Sequence, residues 1–509
     1  MALKAKKKVL NKDYANIMQH KKDNEDSSKM IIESFSTIKD NLNAFVRAPN
    51  SSKIIQYMIE KQKGDSEFIS TIFDTLESDL KNIISDKHGV FVIEKLYEYL
   101  DEGRKSIVFG IIMENIHYFS SQKCGSKLID SIFKQLPKEK KEQFLGHFFG
   151  PLYVHEIGMG VAKDKIFSDA EKKFKIACFL KKHLKRMMKE KIVKSTFSLK
   201  LLSTFFEIAR EDQFGRLYEL IYPHIWDILV NNDGATVALK CINKMEEDAQ
   251  KALLESVPVN LIELLCNKNS YLIICSLFLM EGFDSVLKDS LSSIVNNSMD
   301  IFFTDKYASR FLLFVLSGDS TEHLPSDMIE VVTKYENLFS NTTSRANFIT
   351  EIKKSLYQHL IANIENILVD VVMQKIILSV LPLGNEYQKS LLDSLFAFIS
   401  PKFQLLTFFD SNMNHHFLKK LLKINCTLNH GLDTQTTSSI ADLFVNNLKE
   451  INVTNIYPTN RGCFTLVCAY EQCSEPSKVL MKQIFKPYKN EILKNKESAG
   501  SKLLSDKLF

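Results

Sequence analysis

The feature that most constrains this chain is a recurring pattern of two apolar pairs, first seen in Asn50-Ser51-Ser52-Lys53-Ile54-Ile55-Gln56-Tyr57-Met58-Ile59. Its phase returns at Val92-Ile93/Leu96-Tyr97, Leu128-Ile129/Ile132-Phe133, Leu201-Leu202/Phe205-Phe206, Val237-Ala238/Cys241-Ile242, Ile273-Ile274/Leu277-Phe278 and Phe311-Leu312/Val315-Leu316. A weaker copy, Val161-Ala162/Lys165-Ile166, fills the largest gap. Apolar residues at i, i+1, i+4 and i+5 share one face of a 3.6-residue turn, so each copy predicts a helix with a wide buried side. A return every 33 to 40 residues or so is the length of one helical hairpin in a stacked array. Such hairpins cover one another's apolar faces and leave a row of equivalent exposed positions.

The expected fold is therefore all-α, a right-handed α-solenoid of about ten to eleven armadillo/HEAT-type helical repeats. At 509 residues the chain exceeds one ordinary core, and an array grows without a single centre. With 17 Gly and 11 Pro, long helices are easily accommodated. The expected divisions are a basic leader at 1–28, N-terminal repeats at 29–150, central repeats at 151–335 and a divergent C-terminal region at 336–509. The last boundary rests on the polar stretch Ser317 to Pro325 and the loop Ser340-Asn341-Thr342-Thr343-Ser344, where phase is lost. Later copies are legible at His415 to Leu422 and, eroded, at Ser501 to Leu504.

Nine cysteines without a secretory leader suit a reducing compartment. No apolar run reaches membrane-spanning length, so no membrane partner is expected. Cys463, Cys468 and Cys473 are spaced for no common metal site and read as core thiols. His415-His416 reads as surface polarity. Gly158-Met159-Gly160 follows no strand and lacks a third glycine, which argues against a nucleotide loop. With no defensible nucleophile, acid–base or metal constellation, neither catalysis nor a cofactor is expected.

A net charge of +5 permits a polyanionic partner. Basic residues crowd Phe167 to Glu190, where Lys181, Lys182, His183, Lys185, Arg186, Lys189 and, just beyond, Lys191 form either a wet helix face or a phosphate-binding ridge. In each copy the two residues before the first apolar pair and the one after it are expected to project from the unburied face. The first and third stand one turn apart, able to grip a base edge, and the middle one can stack between bases, the arrangement of Pumilio-type repeats. The triplets are Ser52/Lys53/Gln56, Val90/Phe91/Glu94, Ser126/Lys127/Asp130, Met159/Gly160/Lys163, Leu199/Lys200/Ser203, Ala235/Thr236/Leu239, Tyr271/Leu272/Cys275 and Ser309/Arg310/Leu313. Only the first three carry groups able to read a base, so an eight-base code is not expected.

The opening Ala48-Pro49-Asn50-Ser51-Ser52-Lys53-Ile54-Ile55-Gln56 resembles the first repeat of the Pumilio homolog 3 (Penguin) group, nucleolar Pumilio-like proteins of ribosome assembly. Asp233 to Cys241 and Asp305 to Ser317 match it further, running on through His323-Leu324-Pro325 and Met328-Ile329-Glu330-Val331. Asn460-Arg461-Gly462-Cys463 and the helix after His415 resemble its C-terminal CPL region. The resemblance implies RNA as the partner, single- or double-stranded and with little sequence preference, extending to DNA. It also implies pre-rRNA processing and large-subunit assembly beside pre-ribosomal proteins, a link to mRNA and translational control, and a nuclear, nucleolar site. The expected contacts are Ser52, Lys53, Gln56, Lys87, Phe91, Glu94, Lys127, Lys200 and Arg310 on the recurring helices, with Lys181, Lys182, Lys185 and Arg186 on the ridge. A HEAT- or armadillo-like protein scaffold and a small-subunit assembly factor are the alternatives. The short leader and the compact stretch before the ridge depart from the group.

Overall fold

A small-residue slot at the start of most of the recurring helices sets the architecture. The computed structural model describes residues 28–190, 194–215, 217–242, 245–257, 260–280, 282–317, 342–384, 387–404, 408–409, 411–424, 439–450, 453–494 and 498–509. Residues 1–27 of the basic leader, Lys191, the stretch Gly318 to Asn341 with the family matches at His323 to Pro325 and Met328 to Val331, and Cys426 lie outside the described residues, while Thr342, Thr343 and Ser344 of the expected loop instead open the helix Thr342–Ala362. Every regular element among the described residues is helical.

The chain forms two compact units, residues up to Met245 and from Glu246. In the first, five recurring helices pack each on the next: α1 (Pro49–Lys61), α2 (Gly89–Tyr99), α3 (Lys123–Gln135), α4 (Thr196–Ile208) and α5 (Asn232–Ile242). In the second, six do so: α6 (Tyr271–Phe278), α7 (Lys306–Ser317), α8 (Val371–Val380), α9 (Asn412–Leu422), α10 (Asn460–Gln472) and α11 (Ala499–Leu508). Partner helices such as Ser66–Leu76, Glu102–Glu114 and Gln388–Ile399 alternate with them. The helices Ser28–Ile38 and Leu42–Phe45 precede α1.

The apolar pairs account for the core. Ile54, Ile55, Met58 and Ile59 are 0–2% exposed, and the corresponding four residues are buried in α2 through α7. Three residues before the first pair sits a small, buried residue: Ser51, Gly89, Gly125, Ser198, Gly234, Ser270, Ala308 and Gly462. A Cβ on Gly125 would lie 2.6 Å from the carbonyl oxygen of Phe119, and one on Gly89 2.9 Å from that of Ile83. Gly234 and Gly462 approach the carbonyls of Ile228 and Ile456 more closely still. The crowded oxygen belongs to the residue six positions earlier each time, so the slot records how tightly a helix start folds back on the preceding turn. Where serine fills it at Ser270, the hydroxyl donates to the same kind of oxygen, on Leu264, at 2.7 Å. Short polar caps hold the turn: Asp86 accepts from the amides of His88 and Gly89, Asn231 from Gly234, and Asp305 from Tyr307 and Ala308.

The weak copy at Val161 is not a repeat. The helix Pro151–Gly158 ends in a turn where Gly160 adopts φ +78°, Ala162 and Lys165 are exposed, and only Ile166 is buried. Instead α3 packs directly on α4: Phe133 meets Phe197 at 6.5 Å, and the Phe197 amide donates to Asp130 at 3.3 Å. Residues 136–195 form an excursion from the stack, through Lys138–Gly146, Pro151–Gly158, Lys163–Ser168 and the long helix Ala170–Lys189, which packs on α4.

Gly125→Ala should destabilise the first unit by about 1–3 kcal/mol, the usual cost of overpacking. Gly110→Ala, whose new methyl meets nothing within 4 Å in a helix interior, should be neutral or stabilising by up to about 1 kcal/mol. Chemical denaturation of both variants checks the pair, and equal effects would remove the slot from the account.

Candidate nucleic-acid interface

The surface that the recurring helices present differs from the expected one because the slot pulls their first turns inward. On α1 to α7 the first residue of the triplet, expected to project, is buried: Ser52 is 2% exposed, Val90 1%, Ser126 4%, Leu199 0%, Ala235 5%, Tyr271 1% and Ser309 3%, whereas Met159 of the false copy is 72% exposed. The Ser52 hydroxyl donates to its own helix at the Pro49 carbonyl, 3.2 Å away. A side chain so placed cannot grip a base edge.

The middle residues do reach the surface. Lys53, Lys127 and Lys200 are exposed, and Phe91 and Arg310 are half-buried. Within the first unit Lys53, Phe91, Lys127, Lys200 and Thr236 occupy one register on successive helices. The Lys127 ammonium lies 5.1 Å from the centre of the Phe91 ring, which shows that adjacent register positions touch. Lys53 and Lys87 form no ion pair among the described residues, whereas Lys200 Nζ meets Asp233 Oδ1 at 3.1 Å across to the next helix. In the second unit Arg310 lies 5.7 Å from the Tyr307 ring and donates to the Tyr271 hydroxyl at 3.4 Å. Tyr307 was missed as a candidate; its place two residues after the cap Asp305 is the signal that could have found it.

The third positions change along the chain. Gln56, Glu94, Asp130 and Ser203 are partly exposed, while Leu239, Cys275 and Leu313 are buried at 4%. Asp130 is taken up by structure, pairing with Lys134 at 2.8 Å and capping Phe197. Among the described third positions of the recurring helices, hydrogen-bonding groups not taken up by structure thus stand on α1, α2 and α4, at Gln56, Glu94 and Ser203.

On the helix Ala170–Lys189, Lys182, Lys185, Arg186 and Lys189 are exposed and Lys181 half-exposed. None of the five is in an ion pair among the described residues, and from Lys172 to Lys189 the helix itself carries no carboxylate. His183 does not belong to this ridge. It is 6% exposed and stacks on His117 with ring centres 4.1 Å apart, against Phe148 and Phe179. Burial, with His117, Arg186 and Lys182 nearby, pushes it down to about 4 and holds it neutral. His415, read from sequence as a surface residue, is also buried; its Nδ1 lies 3.2 Å from the Thr465 hydroxyl, and burial lowers it to about 4.

Cys463, Cys468 and Cys473 are buried, with thiols pushed upward by desolvation, as core residues. Among the described residues no group of three or more His, Cys, Asp or Glu is placed to hold a metal ion. No helix among them is long and apolar enough to cross a membrane.

Residues 304–433 match the family model described as the CPL (NUC119) domain. Pumilio homolog 3 of Rattus norvegicus is 19% identical over 357 residues, covering 69% of this chain and 55% of the relative. The chain thus spans about half the length of that protein. Pumilio homology domain family member 6 of Schizosaccharomyces pombe is 20% identical over 504 residues, covering 94% of this chain and 76% of its own. The crystal structure of human Puf-A superposes with a TM-score of 0.74 at 16% identity, covering 100% of this chain and 99% of the other. The chain is thus similar to Pumilio-like proteins and carries a match to the CPL region. A second human Puf-A structure, in complex with DNA, gives a TM-score of 0.71 at 18% identity over 97% of this chain and 99% of that one. The likeness to both structures shows the fold, stacked helical repeats. The CPL match opens just ahead of α7 and includes α8 and α9.

Histidines held neutral in the fold but free to protonate when unfolded make stability rise with pH between the two pKa values. Thermal stability should therefore fall as pH drops from about 6.5 towards 4, by about 1.4 kcal/mol per pH unit for each such histidine. His183→Gln should flatten the melting-temperature profile across that window, and an unchanged slope would place His183 in solvent.

Proposed function

We propose that this chain binds RNA through phosphate contacts, with little sequence preference, using the lysine-bearing register of α1 to α4 and the basic ridge of Ala170–Lys189. The observation that carries this reading is the burial of the first triplet residue on each of α1 to α7 beside the exposure of Lys53, Lys127 and Lys200. Base identity needs paired edge groups, whereas phosphate needs only positive charge at intervals along the backbone. Phe91 adds a ring on which any base can stack, with Lys127 beside it. Gln56 and Glu94 supply local polarity, Lys87 adds charge at the turn into α2, and Lys181, Lys182, Lys185 and Arg186 form a second track. In the second unit Arg310 holds the equivalent position on α7.

The wider role follows the family. Service in pre-rRNA processing and large-subunit assembly, in the nucleus and nucleolus and beside pre-ribosomal proteins, is the setting in which a low-specificity RNA binder of this group works. DNA and mRNA fall within the same chemistry, since the contacts carry no base information. The human Puf-A complex with DNA supports a nucleic-acid partner for the fold. No catalytic step is part of this proposal.

Each neutralised phosphate of a single strand contributes about −0.7 to the slope of log affinity against log salt. Lys53→Glu with Lys127→Glu should weaken binding to unrelated RNA sequences alike and flatten that slope by about one to two units, with helicity unchanged. Salt-titrated anisotropy on the full chain checks this. A salt-independent affinity, or a double variant that keeps RNA and loses a protein complex, would favour a protein scaffold.

A further inference from the structure

The excursion at residues 136–195 is not required to connect α3 with α4, since the two helices pack on each other directly. It nevertheless has a small core of its own, with Phe149, Tyr153 and Phe167 in mutual ring contact at 4.8 to 5.9 Å. Between Lys138–Gly146, Pro151–Gly158 and the turn before Lys163–Ser168 lies a groove of about 640 Å³. That volume is in the usual range of ligand sites, about 300–1,000 Å³.

Its chemistry is asymmetric. Val154 and Ile157, each 42% exposed, stand three residues apart on one helix face and make an apolar floor with Val161. Met159, 72% exposed, extends the apolar surface past the end of that helix. Glu139 and Glu142, one turn apart on the opposite wall, are exposed and in no ion pair among the described residues. The one lysine lining the groove, Lys163, has its ammonium 5.6 Å from the Phe167 ring centre, and burial pushes the His147 imidazole below its ordinary value. A net acidic wall thus faces an apolar floor in a chain whose total charge is +5.

We propose that this groove seats an amphipathic helix of another protein, with apolar side chains on Val154 and Ile157 and a lysine or arginine between Glu139 and Glu142. Helix-in-groove recognition uses this division of labour, apolar anchors for affinity and flanking charge for selection. It is a second binding function, independent of the RNA-binding reading.

The test uses the full chain and two fluorescent peptides with the same leucine stripe at helical spacing, one flanked by lysines and the other by glutamates. Fluorescence anisotropy should show the lysine-flanked peptide binding at least about tenfold tighter. Ile157→Lys should reduce its affinity by about tenfold or more, and Glu142→Lys should reverse the preference between peptides. Both positions are accessible to solvent, so circular dichroism should be unchanged, and RNA affinity should be unaffected by Ile157→Lys. The proposal is overturned if neither peptide binds, if both bind equally, or if Ile157→Lys leaves peptide binding intact. Loss of RNA binding in that variant would assign the groove to the nucleic-acid surface. Self-association of the wild-type chain abolished by Ile157→Lys would make a second copy the occupant.

Discussion

The contact between a helix start and the carbonyl oxygen six residues earlier governs much else in this structure. At Gly89, Gly125, Gly234 and Gly462 the backbone comes so near that oxygen that a Cβ would collide with it. Serine and alanine complete the set at Ser51, Ser198, Ser270 and Ala308, all buried. One close approach fixes where each recurring helix begins and which way it faces. The apolar pairs three residues on can then meet the next helix in constant register, burying the pairs of α1 to α7 without exception. Two helices solve the problem differently. In α8 the slot holds Met373, and its neighbour Gln374 donates to the Ile367 carbonyl at 2.8 Å. In α9 the position is Asn414, 7% exposed, whose Oδ1 lies 3.5 Å from Gln374 Nε2.

Function is shaped by the same contact. Drawing the first turn inward buries the first triplet residue and leaves the middle one as the outermost group. In the first unit that group is lysine on three of five helices. In the second unit hydrophobic third positions, Cys275 and Leu313, remove the remaining edge chemistry. On the proposed reading, binding capacity resides in charge and in single aromatic surfaces such as Phe91. Selectivity from such a surface reflects the shape and strandedness of the nucleic acid more than its bases.

Much of the fold was legible because binary pattern and period are both strong in the regular copies. The helix α8 carries the same pairs, Ile376-Ile377 and Val380-Leu381, yet escaped notice because the stretch after α7 places it far beyond one repeat interval. In α10 the buried positions include Thr465, Cys468 and Ala469, small or polar residues that blur an apolar pattern. The false copy at Val161 arose from the opposite error, filling a gap that the chain spans with an excursion. At the candidate surface, residue type foretold the exposed lysines well. Solvent exposure of Ser52 and its counterparts could not be read from helical phase, because the neighbouring turn that covers them is set by tertiary packing. His183 shows the same limit: in sequence it sits among lysines, in the fold its ring faces the core.

The most direct test of a surface that grips phosphates without reading bases is selection from a fully randomised RNA pool by the full-length chain. The account predicts a retained pool that is bound well yet enriched in no base at any fixed position. A strong consensus of about eight bases, one for each successive repeat, would contradict it.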